Sequence, residues 1–388
     1  MTTDSVQLQS KTIDVLRPLM AVMVVGLHVR PFYADGTETF FTGIYEASVI
    51  TIFRVLFSIA VPVFFLISGY LFFNKLEDWD SDVWKSKLKK RIGTLLVPYL
   101  LWNVIAFLGF ILTRKAGQIV KGNAPIGIVS LLDERGWLRL FWDRCLYGDI
   151  RPESVNLFGI AVSTGTPMNE PTWFLRDLMV VILFSPVIYF LIKKFGKLFI
   201  LLTAILFCVD LWIPFPGFSS KSFFMFSVGA WFCINRKNML SAFCRFPLIE
   251  SVFALVFLFV ASISFNNSEW IYCLSSRFYL LFAIPAVFCF VSRFVAKHDS
   301  VNLRCADYIG SSFFVYLVHT VLITETVCWV MSSICSFDNQ MVKFVLLVLS
   351  TFAVYFISHG IYLIMKKITR QILAVLVGNR IPLKNNSQ

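Results

Sequence analysis

Charged residues are scarce in this sequence: Asp, Glu, Lys and Arg make up only 15% of the 388 residues, and only four residues are His. Apolar residues make up 57%, 42 residues are Phe, and the mean hydropathy is +0.75. A soluble domain carries about 25% charged residues, because its surface has to be solvated. The composition therefore argues against a soluble globular protein and indicates a chain that crosses a membrane several times.

The sequence also lacks the motifs of nucleotide, hydrolase and zinc sites. No P-loop, GxGxxG, HExxH or GxSxG pattern is present, so neither a metal nor a permanently bound cofactor is expected. The nine Cys are scattered without a CxxC pair, and most lie in apolar runs, where Cys behaves as a small hydrophobic residue. They predict no disulfide framework, although Cys145, in a polar interval, could pair with a neighbour.

Apolar intervals along the chain predict an all-α polytopic membrane protein with about ten transmembrane helices, forming one domain over residues 1–388 with no appended soluble domain. The predicted helices are 13–29, 49–73, 92–112, 173–192, 198–213, 222–234, 247–265, 277–295, 309–331 and 342–365. The net charge of +12 comes from Lys and Arg in alternate short loops, which marks the cytoplasmic side, and not from one patch that would bind nucleic acid. Both termini are therefore predicted to be cytoplasmic and the long polar interval 113–171 external.

Three ionisable side chains, Asp14, Arg17 and His28, interrupt the apolar first helix. At about 100° per residue, the steps from Arg17 to His28 close about three turns, and Asp14 lies within a quarter turn of both, so all three share one face. An ionisable residue in a membrane segment costs about 2.5 to 3.5 kcal/mol, so this face is expected to line protein or a water-filled cavity. The alternative is that Asp14 and Arg17 flank the helix at headgroup level and His28 is a satisfied interfacial histidine.

Other polar residues divide into an inner and an outer group when the predicted helices are placed in the membrane. The inner group consists of Arg17, Ser68, Lys90 and Arg91 with the Pro98-Tyr99 step, and the outer group of His28, Trp173, Arg176, Asp177, Arg277 and Glu325, with Tyr316 and His319 nearer mid-membrane. This distribution fits a transmembrane group-transfer enzyme or a transporter. Arg176 beside Asp177 also fits a structural ion pair, and Trp173 an aromatic-belt residue.

Short motifs in order along nearly the whole chain resemble those of acyltransferase family 3, the integral-membrane O-acyltransferases of bacterial surface glycans. These motifs are Arg17 and His28 separated by ten residues and preceded by Ile13-Asp14, VPVFFLISGY at 61–70, Lys90-Arg91 with Pro98-Tyr99, Trp173-Phe174-Leu175, and Tyr316-Leu317-Val318-His319. Two positions depart from the family pattern. Pro18 stands where Gly is usual, which a helix tolerates in its first turn, and Thr94 stands where many members carry a second Arg.

The resemblance implies a multi-pass protein of the bacterial inner membrane that takes an acyl group, usually acetyl, from a cytoplasmic acyl-CoA. The acyl group is then expected to reach a hydroxyl group of a cell-surface or periplasmic glycan, so the partners are acyl-CoA, the glycan acceptor and the bilayer. A sugar hydroxyl needs a base, and the pKa of His suits that role. The competing hypothesis is a secondary transporter or flippase of a glycan precursor, although the chain shows no repeated halves.

Site roles follow from the same resemblance. His28 is expected to act as the base or to carry the acyl group, with Arg17 and Asp14 as its catalytic partners. The donor-binding residues are expected to be Arg17, Ser68, Lys90 and Arg91, and the acceptor-binding residues Trp173, Arg176, Tyr316, His319 and Glu325. Neither the acceptor, the acyl chain nor the oligomeric state is specified by the sequence.

Overall fold

A computed structural model describes residues 3–29, 44–74, 76, 78–120, 140–142, 154–155, 161–162, 165–212, 215–298, 301, 305–334 and 339–381. Within these ranges the regular secondary structure is helical apart from a two-residue antiparallel pair, β1 (Ser154–Val155) and β2 (Ala161–Val162). Most of the interval predicted to be external lies outside the described residues, and so does Cys145.

Thirteen helices are named in chain order over the described ranges. They are α1 (Thr3–His28), α2 (Tyr45–Phe73), α3 (Ser81–Thr113), α4 (Trp173–Leu183), α5 (Ser185–Phe195), α6 (Lys197–Cys208), α7 (Ser220–Ile234), α8 (Met239–Phe243), α9 (Pro247–Ser264), α10 (Glu269–Lys297), α11 (Ala306–Ser333), α12 (Gln340–Ile368) and α13 (Arg370–Leu376). The backbone of α3 stays helical as far as Val120, past the predicted end at residue 112. Each of the ten predicted intervals coincides with one of these helices or, for 173–192, with two.

Six of the described helices are long and apolar enough to cross a membrane: α2, α3, α9, α10, α11 and α12. The bent pair of α4 and α5 makes a seventh if it counts as one span, while α6 and α7 are shorter apolar helices. Helix α1 is not among the six, because Lys11, Asp14 and Arg17 interrupt its apolar run. The described part of the chain is therefore that of a mainly helical, multi-pass membrane protein, and both the count of about ten spans and the cytoplasmic termini stay predictions.

Apolar side chains cover the outside of the helix bundle. Leu248 on α9 is 76% exposed, Phe290 on α10 is 74% exposed and Trp329 on α11 is 70% exposed. Only 17% of the apolar window of α9 is buried inside the protein. A water-soluble surface rarely presents such a continuous apolar area, whereas lipid tails solvate it without cost.

Two prolines shape the helices differently from the sequence-based prediction. The predicted span 173–192 breaks at Phe184, where α4 and α5 meet at 60°, because Pro186 at the start of α5 has no N–H to continue the hydrogen-bond ladder. Helix α1 begins at Thr3, ten residues before the predicted start, so Pro18 lies in the helix interior and not in its first turn. Its missing N–H leaves the Asp14 carbonyl without the usual backbone donor.

Helix α1 lies at the centre of the bundle. It contacts α2, α10, α11 and α12, and its side chains Leu16, Met20, Ala21 and Val25 are fully buried. Neighbouring helices also shield its ionisable side chains in part, since those of Asp14 and Arg17 are only about one-third exposed. This agrees with the expectation for a membrane helix that carries ionisable groups.

Helices α2 and α7 approach each other so closely that only glycine fits at the crossing. A Cβ atom on Gly69 would lie 2.0 Å from the carbonyl oxygen of Phe226, and one on Gly229 would lie 2.0 Å from the carbonyl oxygen of Leu66. The Gly of the VPVFFLISGY segment thus has a packing role, because it allows two helix backbones to touch.

Candidate active site

His28 and His319 form a pair in the core of the bundle although 291 residues separate them. His28 is the last residue of α1, and His319 is a fully buried residue of α11. The Nδ1 atom of His28 lies 3.3 Å from Nε2 of His319, and the ring centroids are 5.0 Å apart in an edge-on arrangement. The structure thus joins two of the sequence-predicted residues in one place.

Backbone carbonyls select the tautomer of both rings. Nδ1 of His28 lies 2.8 Å from the Val24 carbonyl oxygen, and Nδ1 of His319 lies 3.0 Å from the Val315 carbonyl oxygen. A carbonyl only accepts hydrogen bonds, so in the neutral rings each Nδ1 carries the hydrogen and each Nε2 carries the lone pair. His319 Nε2 therefore accepts from His28 Nδ1–H, and His28 Nε2 is the basic nitrogen of the pair.

A break in α11 immediately follows His319. The residues His319–Ile323 form a π-helical turn in which Leu322 has φ 69°, a left-handed conformation that non-glycine residues rarely adopt. The His319 carbonyl accepts from the Thr324 backbone N–H and also, at 2.7 Å, from the Thr324 hydroxyl, so it stays satisfied across the break. Such local strain persists only where surrounding contacts hold it.

The contacts that hold the break in α11 come from a buried network of Asn side chains that the sequence analysis did not predict. Asn169, just before α4, donates to the Leu317 carbonyl at 2.9 Å and accepts from the Thr320 hydroxyl at 2.9 Å. Asn103 on α3 accepts from the Asn169 backbone N–H at 2.8 Å and donates to the Thr172 hydroxyl at 3.1 Å. Asn103 is the single side-chain amide in the apolar run 92–112. An isolated amide in such a run is the sequence feature that could have indicated a buried hydrogen-bonding role.

A second feature is a cavity of about 380 Å³ lined by three arginines, Arg17, Arg91 and Arg380. Aromatic and aliphatic side chains form most of the remaining wall, together with Ser68 and Tyr316. We call this the arginine cavity. Three guanidinium groups around one space repel one another unless an anion binds between them, so the geometry favours an anionic ligand.

The arginine cavity gathers most, but not all, of the predicted donor residues. Arg17 pairs with Asp14 at 3.0 Å, both side chains being about one-third exposed, and Ser68 and Arg91 line the wall. Lys90 is exposed and does not line the cavity. Arg380, in the segment after α13, was not among the predicted residues, because a basic tail outside the apolar runs gives no sequence signal for a site.

The predicted acceptor residues lie in different surroundings. Arg176 is buried and donates to Asp177 at 2.9 Å, to the Trp142 carbonyl at 2.6 Å and to the Gly165 carbonyl at 2.8 Å, so it ties the loop before α4 to that helix. Tyr316 lines the arginine cavity, and its hydroxyl donates to the Pro171 carbonyl.

Trp173 and Glu325 complete the predicted acceptor set. Trp173 is half-buried beside Phe65 at the start of α4, and Glu325 is exposed in the turn after the break in α11. The structure therefore does not collect the five residues into one pocket, and their roles remain predictions. In the described part of the chain no three His, Cys, Asp or Glu side chains form a metal-binding group.

The arginine cavity and the histidine pair share two helices. On α1, Arg17 and His28 are separated by roughly 16 Å at 1.5 Å per residue. On α11, Tyr316 lies on the cavity wall one turn before His319. An anionic headgroup held in the cavity and a reactive group near the histidines can therefore belong to one elongated ligand.

The sequence profile of the family described as an acyltransferase domain matches residues 10–360, which is most of the chain. The chain belongs to acyltransferase family 3. Succinoglycan biosynthesis protein ExoH of Rhizobium meliloti (strain 1021) is 24% identical over 381 residues, covering 96% of this chain and 92% of that protein. Serine/alanine racemase of Enterococcus gallinarum is 31% identical over 136 residues, covering 35% of this chain and 18% of that protein. No solved structure matches.

Membership of acyltransferase family 3 makes this protein a multi-pass membrane acyltransferase. It also decides between the two hypotheses that the composition left open, since a transporter is not expected to share an acyltransferase profile over residues 10–360. The family match spans both the first helix with Arg17 and His28 and the late helix with His319, which are the elements that carry the cavity and the pair.

Proposed function

We propose that this membrane acyltransferase transfers an acetyl group from cytoplasmic acetyl-CoA to a hydroxyl group of a cell-surface or periplasmic glycan. The observation that carries the proposal is the arrangement of the arginine cavity and the histidine pair on the same two helices. The similarity to a succinoglycan biosynthesis protein supports a glycan as acceptor. On the predicted topology the cavity opens on the cytoplasmic side of the bacterial inner membrane, where acyl-CoA is made.

In this scheme the phosphates of the donor bind the arginines, and its long flexible arm runs along α1 and α11 towards His28. The hydroxyl oxygen of the acceptor attacks the thioester carbonyl, a C–O bond forms and the C–S bond breaks. His28 Nε2 takes the hydroxyl proton and returns it to the departing CoA sulfur, so the enzyme ends unchanged. If His28 Nε2 attacks the thioester first, the C–S bond breaks, CoA leaves as its thiolate and an acyl-histidine forms. The acceptor hydroxyl then attacks the acyl carbon, the C–N bond breaks, and the hydroxyl proton balances the charge of the CoA thiolate, so His28 is regenerated.

Asp14 and Arg17 contribute through charge. The carboxylate of Asp14 holds the Arg17 guanidinium at 3.0 Å, which limits the orientations available to that side chain. Arg17 still lines the cavity, so it can bind a donor phosphate while Asp14 fixes its position.

The test uses membrane vesicles that contain the protein and are given acetyl-CoA labelled in the acetyl group. Label is expected in the cell-envelope glycan fraction, and mass spectrometry of that fraction is expected to show acetyl groups that are absent without the gene. His298→Ala is the matched control for His28→Ala, because His298 also ends a helix with Nδ1 bonded to a carbonyl four residues back, at 2.9 Å, yet it is exposed. Equal transfer in vesicles that lack the protein would refute the proposal. Undiminished transfer by the His28→Ala variant would also refute it.

A further inference from the structure

The segment after α13 is held firmly against the rest of the protein. Trp102 on α3 donates its indole N–H to the Leu376 carbonyl at 3.1 Å, and Val377 and Ile381 are buried. Gly378 has φ 67° and packs against Thr94 so tightly that a Cβ would lie 2.6 Å from the Thr94 carbonyl oxygen. The backbone at the end of the described chain is therefore packed against α3.

Arg380 extends from this segment into the arginine cavity. Its guanidinium carbon lies 3.4 Å from the centroid of the Phe313 ring, and Nη1 donates to the Val377 carbonyl at 3.2 Å. The Phe313 ring restricts the guanidinium on one face, and Arg380 contributes N–H donors other than the one bonded to Val377 to the cavity wall. Arg binds phosphate through such N–H groups, often two at a time.

The charges around the cavity do not balance. Among the residues the structure describes, Asp14 is the carboxylate paired with Arg17, and no carboxylate lies within ion-pair distance of Arg91 or Arg380. Arg380 is exposed on one side, and desolvation by the cavity wall, followed by the positive charges of Arg91 and Arg17, lowers its pKa from the usual arginine value. At neutral pH the group stays charged, so the cavity has two positive charges in excess and favours a polyanion.

We propose that Arg380 binds phosphate of the acyl-CoA donor, so that the C-terminal segment forms part of the donor site. The inference rests on the proposed function for the identity of the donor, and on the cavity geometry for the role of Arg380. It assigns a substrate-binding task to a segment beyond residue 360, where the family match ends.

The experiment measures acetyl-CoA binding by the purified full-length protein in phosphatidylcholine nanodiscs. Arg380→Met keeps an unbranched chain against Phe313 and removes the charge, and Arg380→Gln is a second neutral variant in case the first does not fold. A lost charge-assisted contact of about 1.5 to 3 kcal/mol corresponds to roughly 10- to 150-fold weaker binding. Arg245→Ala is the matched control, because Arg245 is also exposed and lies over a phenylalanine ring, that of Phe246 at 5.2 Å, but does not line the cavity.

Each outcome has a separate meaning. Wild-type affinity in both neutral variants would overturn the role of Arg380, whereas failure of the wild-type protein to bind acetyl-CoA would overturn the proposed function itself. A phospholipid headgroup offers the same phosphate chemistry, so the measurement is repeated with phosphatidylglycerol in the nanodiscs. If phosphatidylglycerol weakens acetyl-CoA binding by the wild-type protein but not by Arg380→Gln, Arg380 binds a lipid headgroup. That result would also overturn the inference.

Discussion

His28 and His319 are expected to contribute very unequally to acyl transfer, although they form one pair. Replacing His28 with Ala removes the basic nitrogen, and general-base assistance is worth about 10² to 10⁴ in rate. At 1.36 kcal/mol per tenfold, this corresponds to about 2.7 to 5.4 kcal/mol of the activation barrier. An acyl-histidine route would lose more, because the covalent intermediate could not form.

His319 is expected to affect the rate mainly through its hydrogen bond to His28. Its Nε2 accepts a hydrogen bond from His28 Nδ1–H at 3.3 Å, a long contact, while the Val24 carbonyl already accepts from the same atom at 2.8 Å. A neutral hydrogen bond contributes about 0.5 to 1.5 kcal/mol, so losing it is expected to slow transfer by about 2- to 12-fold. The Val24 carbonyl still holds the productive tautomer.

Two substitutions separate positioning from packing at His319. In His319→Asn the amide nitrogen can still donate to the Val315 carbonyl, but the acceptor that meets His28 is lost. His319→Gln places an amide oxygen near the former Nε2 position, so it is expected to recover much of the rate. If only packing mattered at this fully buried position, the transfer rates of the two variants would depend on side-chain volume and not on the position of the hydrogen-bond acceptor.

The assay is the initial rate of acetyl transfer from labelled acetyl-CoA to envelope glycan in vesicles containing equal amounts of protein. Thermal unfolding of each purified variant checks that the fold is retained. Near-native transfer by His28→Ala would show that this histidine is not the base. A loss in His319→Asn as large as that in His28→Ala would show that the pair works as a unit, contrary to the separate roles that the hydrogen-bond distances predict.

Three further predictions concern the donor site, the helix packing and the topology. Arg17→Ala is expected to raise the apparent KM for acetyl-CoA by roughly 10- to 150-fold with little change in the dependence on acceptor, and an unchanged KM would count against its role. Gly69→Ala is expected to lower the free energy of unfolding by about 1 to 3 kcal/mol or more, because the new Cβ meets the Phe226 carbonyl; Gly360→Ala, with open space around it, is the control, and equal stabilities would contradict the close approach. A Cys introduced near Asn386 is expected to be protected from membrane-impermeant reagents in intact cells, and its labelling from outside would refute the cytoplasmic C-terminus.

Local patterns in the sequence determined most of the helical architecture. Long apolar runs specify helices because backbone groups in a membrane must bond to each other, and every predicted interval falls on a helix in the structure. The interval from Arg17 to His28 predicted a shared face, since helical periodicity is a local property. Family motifs such as VPVFFLISGY were also visible, although only the crossing of α2 and α7 explains why Gly69 is needed there.

Contacts between distant parts of the chain were decided by the tertiary structure. His28 meets His319 because α1 packs against α11, and Asn169 supports the break after His319 because the segment before α4 packs against Asn103 of α3. Arg380 reaches the arginine cavity because the tail folds back onto α3. Periodicity and motif spacing constrain each helix separately, but the arrangement of helices depends on many simultaneous side-chain contacts that no single stretch of sequence encodes.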